Sequence, residues 1–112
     1  MDLNRIRGFK MPDEKQASTF PMGTVWKYPI TGALTEHQIP QGAKAIHTGP
    51  DATGAACVWF FVMPDQPLET RQIVLFESGQ EIPAVAVRDF IGTLVHGEFV
   101  SHVFVPAVAP PQ

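Results

Sequence analysis

The sequence predicts an all-β domain: a small antiparallel sandwich or open barrel of about six to seven short strands, behind an irregular N-terminal arm. Three observations lead there. Eleven prolines and nine glycines punctuate the 112 residues. The pieces between them are rich in Val, Ile, Phe and Trp, the residues that suit a pleated, half-buried surface. Outside a weak candidate in the arm, no stretch combines freedom from Pro and Gly with an apolar stripe of helical period. A mixed α+β fold is the alternative if the arm is helical.

Strands are expected at about Thr24–Pro29, Thr35–Ile39, Lys44–Thr48, Ala55–Met63, Arg71–Glu77, Asp89–Val95 and Glu98–Val105. Pro29, Pro40, Pro64, Pro83 and Pro106 fall at strand ends, where a missing N–H costs no ladder bond. Pro64-Asp-Gln-Pro is a turn signal. Val95-His-Gly-Glu98 joins two apolar runs through a tight Gly-containing link and reads as a β-hairpin. The glycines of Thr48-Gly-Pro-Asp-Ala-Thr-Gly54 suit another hairpin loop and match no phosphate-binding pattern.

Before the first strand lies a different kind of segment. Residues 1–21 carry Arg5, Arg7, Lys10 and Lys15 against Asp2, Asp13 and Glu14, without sustained periodicity, and read as an extended arm. The β domain is expected over residues 22–106 and a Pro-rich tail over 107–112. A chain of 12.3 kDa buries about two-thirds of its unfolded surface, enough for a core without disulfides or a structural metal.

Charge and cysteine content exclude several functions. Eight basic and eleven acidic residues leave a net charge of −3, opposite to a protein that grips a long nucleic acid. No apolar run is long enough to span a bilayer as a helix, so no membrane partner is expected. The N-terminus lacks an apolar signal region, which makes the cytoplasm the expected location. The single cysteine, Cys57, sits in the most apolar stretch and reads as a buried hydrophobe rather than a reactive thiolate.

Strands 55–63, 71–77 and 89–95 are apolar on both faces, with Cys57, Trp59, Phe61 and Met63 opposite Val58, Phe60 and Val62 in the first of them. A lone antiparallel sheet usually keeps one polar face. A second cover is therefore expected, from the arm or from another copy of the chain, and a homodimer or higher homo-oligomer is the predicted state.

Catalytic signatures are absent. His96, His102 and Glu98 are the candidates for a metal, but no ligand-spacing motif is present, and neither a metal nor any other cofactor is expected. His102, in an apolar strand, reads as a histidine satisfied by a backbone carbonyl. Ser18, Ser78 and Ser101 lack a nucleophile-elbow context. Trp26, Lys27 and Tyr28 offer a stacking platform for a nucleotide with Lys27 on its phosphate, or simply a first strand packed on its sheet. Arg71 and Arg88, each opening a strand, could add an anion-binding cluster.

Several segments occur together in a telling order: Thr24-Val-Trp-Lys-Tyr-Pro-Ile, Ile39-Pro-Gln-Gly-Ala-Lys-Ala-Ile, Cys57-Val-Trp-Phe-Phe-Val, Glu69-Thr-Arg, Ser78-Gly-Gln-Glu-Ile-Pro, Phe90-Ile-Gly-Thr and His102-Val-Phe. This order resembles a family of short uncharacterised proteins encoded in bacteriophage and prophage genomes. The resemblance runs from about Met22 to Val105 and implies a phage origin and a small β fold. It transfers no catalytic residue. Gln80 stands where those proteins often have His, and the arm precedes their usual start. The expected function is a non-enzymatic phage binding protein that inhibits or sequesters a host defence protein or its nucleotide signal. A minor virion or assembly component and a metal-assisted hydrolase are the alternatives.

Overall fold

The computed structural model describes residues 21–108. The arm expected over residues 1–21 lies, but for Pro21, outside them, as does the end of the tail. Seven strands form two antiparallel sheets: β1 (Thr24–Pro29), β2 (Leu34–Pro40), β3 (Lys44–Pro50), β4 (Ala56–Val62), β5 (Leu68–Glu77), β6 (Phe90–His96) and β7 (Phe99–Phe104). The first sheet has the order β1-β4-β3 and the second β2-β5-β7-β6. This is the small all-β sandwich the sequence predicts, and the sheets do not close into a barrel.

The core follows from strand alternation. Val58, Phe60 and Val62 point from β4 toward the second sheet, which answers with Ile39, Ile73 and Val103; all six are fully buried. Each such side chain contributes about 1.5–3 kcal/mol relative to exposure. Edge-on contact of Tyr28 with Phe60, at 5.4 Å between ring centres, extends the core toward β1.

The chain changes sheet after β1, β2 and β4, so most contacts are between strands distant in sequence. Two true hairpins remain. In the β6–β7 turn Gly97 has φ +60°, and in the β3–β4 turn Gly54 has φ +88°. Both are left-handed values that glycine adopts without strain. The two sheets close on each other at β3 and β6. There a Cβ on Gly92 would lie 2.7 Å from Thr48 Cγ2, so only glycine allows that approach.

The connection from β5 to β6 explains why the second sheet is apolar on its outer side around β7, although Glu36, Gln38, Thr70 and Gln72 make that side polar toward β2. Both strands run antiparallel to β7, which lies between them, so they are parallel to each other and cannot be joined by a hairpin. The inner face is filled by the first sheet, so the crossover returns along the outer face. It contains a 3-10 turn, Ala84–Asp89, which the sequence reading missed. Beneath it Phe104, only 5% exposed, packs against Phe76 at 5.3 Å and Phe90 at 5.5 Å. On this sheet part of the second cover comes from the chain itself.

Candidate functional site

The outer face of the first sheet is different, because none of the described segments crosses it. Register builds it row by row. Lys27 of β1 and His47 of β3 lie on either side of Trp59 in β4. In the next row Val25 and Lys44 lie on either side of Phe61. Directly opposed residues in an antiparallel pair share a face, so six side chains form one surface. Phe61 is 42% exposed, Val25 47%, and Trp59 is half-buried. The His47 ring leans on Trp59 with 5.4 Å between centres. It also occupies the space over Gly49, where a Cβ would come within 3.2 Å of its Nε2.

The two flanks differ electrostatically. On the β1 side Lys27 Nζ donates to Asp51 Oδ2 at 2.9 Å. Asp51 Oδ1 accepts from Thr53 N, Thr53 Oγ1 and Ala55 N, which fixes the β3–β4 loop. The Lys27 ammonium, followed by the Thr53 hydroxyl, holds the Asp51 carboxyl well below the usual carboxylate range. The Asp51 carboxylate in turn raises Lys27. On the β3 side Lys44 and His47 are exposed, and no ion pair engages either among the described residues.

Cys57 ends the same column of β4 beneath this network and is 1% exposed. Burial and then the Asp51 carboxylate push its thiol up, which suits a buried hydrophobe and not a nucleophile.

The residues singled out from sequence are dispersed. Trp26 and Tyr28 pair with Phe60 and Val58 and face the second sheet, opposite to Lys27. Trp26 remains 41% exposed at the edge. Arg71 is buried between the sheets, donates from Nη1 to Ala43 O at 2.8 Å and lies 5.7 Å from the Phe60 ring centre. Its Nε has no hydrogen-bond partner among the described residues. Arg88 is on the crossover with its side chain 74% exposed, beside Asp89. Lys27 alone of these five belongs to the aromatic outer face. Sequence reasoning does not single out Lys44, Trp59 and Phe61, and it considers His47 only as one of four histidines for a metal. The alternation of β4 does place Trp59 and Phe61 together, but the rows need the pairing of β4 with β1 and β3.

The metal candidates are also separated. His96 pairs with Phe99 on the inner side of the second sheet, whereas His102 pairs with Thr93 on the outer side. No group of three metal-ligating side chains occurs among the described residues. His102 is satisfied by two hydroxyls, not by the expected carbonyl: Ser78 Oγ lies 2.9 Å from Nε2 and Thr93 Oγ1 3.0 Å from Nδ1. A serine–histidine contact of this length is the geometry of a nucleophile and its base. The third member, however, is a hydroxyl, which cannot stabilise an imidazolium as a carboxylate does.

A cleft of about 260 Å³ opens at the end of the sandwich between the two hairpins, lined by Pro50, Ala56, Leu75, Leu94, His96 and Phe99 among others. No helix among the described residues is long and apolar enough to cross a membrane.

Neither the curated proteins nor the solved structures give a match to this chain. Residues 22–112 match the family model described as Domain of unknown function (DUF7352), and the chain belongs to that family.

Proposed function

We propose that this protein is a phage-encoded, non-enzymatic binding protein that sequesters a host defence component or its nucleotide signal, acting in the cytoplasm of the infected cell as a homodimer or higher homo-oligomer. The order of sequence segments, which resembles that of phage and prophage proteins, supports the origin. One observation carries the binding role: an aromatic pair, Trp59 and Phe61, exposed on a sheet face with cations in the neighbouring strands. Aromatic rings beside Lys suit a flat anionic ligand, because every base has a π-face and every phosphate a charge to match. A protein with net charge −3 that sets Lys44 and His47 beside exposed rings presents a local site, not an extended nucleic-acid groove.

Thermal denaturation of the full chain with a panel of linear and cyclic nucleotides, together with a pull-down from bacterial lysate, tests the reading. A bound nucleotide at 100 times its dissociation constant adds about 2.7 kcal/mol of stability. The expected result is stabilisation by a nucleotide, or retention of a host protein, that Trp59→Ala abolishes. No stabilisation and no retained protein overturns the proposal. Incorporation into purified virions with neither effect would favour an assembly role instead.

A further inference from the structure

We infer that the outer face of the first sheet takes a ligand with two bases joined by a phosphate, one base on Trp59 and the other on Phe61, with the phosphate lying along the β3 side over Lys44 and His47. This deepens the binding reading above and rests on it.

Spacing and charge select this ligand. Trp59 and Phe61 are two residues apart on one strand and on one face, so their Cα atoms repeat at about 6.6–7 Å along the strand. A single base covers one ring. A second base, splayed to reach the next ring, needs a linker of that length, which a phosphodiester between two nucleosides supplies. Sheets that bind single strands use aromatic pairs of this kind to stack successive bases.

Charge then decides the side on which the linker lies. The neighbouring strands run about 4.8 Å to either side of the aromatic column. On β1 the facing residues are apolar Val25 and Lys27, whose charge is already met by Asp51 at 2.9 Å. On β3 they are Lys44 beside Phe61 and His47 beside Trp59, both exposed. Only the β3 flank therefore offers donors that the described residues leave for an anion. Gly49 leaves room for the His47 ring beside Trp59, since a Cβ there would press on Nε2 at 3.2 Å.

The test is a titration of the full chain, followed by the fluorescence of Trp59 in a Trp26→Phe background, with adenosine, adenosine 5′-monophosphate and the dinucleotide adenylyl-(3′,5′)-adenosine. Trp26 faces the other side of its strand, so its removal leaves the face intact. The dinucleotide is expected to bind about five- to 150-fold tighter than the mononucleotide, the value of one stacked base. Phe61→Ala is expected to erase that gain and to change mononucleotide affinity less than twofold. Lys44→Gln is expected to weaken the dinucleotide and to leave adenosine unchanged.

Equal affinity for the mononucleotide and the dinucleotide overturns the two-base inference while the binding reading stands. Loss of nucleotide binding together with capture of a host protein through Trp59 does the same. A dimer that Trp59→Ala dissociates, with no nucleotide bound, makes this face a contact between copies and overturns the inference. Absence of nucleotide binding and of a retained host protein overturns both.

Discussion

Lys27 Nζ and Asp51 Oδ2 lie 2.9 Å apart and join β1 to the β3–β4 loop directly above Cys57. The pair has a defined pH signature. The carboxyl of Asp51 is depressed by the Lys27 ammonium, so its stabilisation is complete above the unfolded value of about 3.9 and is lost as pH falls toward the folded value. Lys27 is raised, so its share is complete below about 10.4 and is lost as pH rises beyond it. Asp51→Asn is expected to be less stable than the wild type between pH 5 and 8. The difference should shrink below pH 4, as read from urea midpoints across pH. A constant difference down to pH 2 would remove Asp51 ionisation as its cause.

Cys57 should be inert in the folded protein. Its thiol is buried and raised by that burial and by Asp51. Alkylation by iodoacetamide at pH 8 is expected to be at least about tenfold slower in the native state than in urea, because only the thiolate reacts. Equal rates would mean that Cys57 is open to solvent.

The closure at β3 and β6 depends on shape. A methyl group at position 92 would meet Thr48 Cγ2 at 2.7 Å, while Thr48 Oγ1 donates to Cys57 O at 2.9 Å. Gly92→Ala is expected to cost about 1–3 kcal/mol by overpacking. Thr48→Ser removes the obstructing methyl, keeps the hydroxyl, and should restore much of that loss in the double variant. Additive losses in denaturant unfolding would deny the contact.

At the centre of the sandwich, Phe60 and Arg71 should respond in opposite ways. Phe60 is fully buried, and Phe60→Ala is expected to cost about 3–5 kcal/mol. Arg71 brings a cation into the core with one hydrogen bond to a carbonyl, an unpartnered Nε and no ion pair among the described residues. A buried charge without a counter-charge opposes folding. Arg71→Met is therefore expected to raise stability by about 1 kcal/mol or more. A loss of that size would show that the guanidinium has a stabilising partner.

Much of this fold was legible because its signals are local. Pro29 and Pro40 end strands where the sequence places them, and the alternation in Cys57–Met63 separates the core face from the outer face correctly. The start of β5 at Leu68 and the 3-10 turn at Ala84–Asp89 were not legible. The first follows from pairing with Pro40 of β2. The second lies on a crossover that exists only because β7 inserts between β5 and β6. The candidate site was half legible for the same reason. Lys27 was found, but Trp59 joins it through the pairing of β1 with β4, which lie far apart in the chain, and that register turns Trp26 and Tyr28 away. Lys44 and His47 share this face through the β3–β4 hairpin, but only with the register shift between Ala45 and His47, which strict alternation does not show. Arg71 and Arg88 look alike as strand openers, yet one is enclosed by the sandwich and the other rides on the crossover.

We propose that the exposed face bearing Trp59, and not the edge bearing Trp26, receives an anionic ligand. Titration of the isotopically labelled full chain with adenosine 5′-monophosphate, following the two indole N–H resonances by NMR, tests it most directly. A saturable shift of the Trp59 resonance that Lys44→Gln weakens is expected, with the Trp26 resonance unmoved. A shift of Trp26 alone, or no shift of either at millimolar nucleotide, would contradict it.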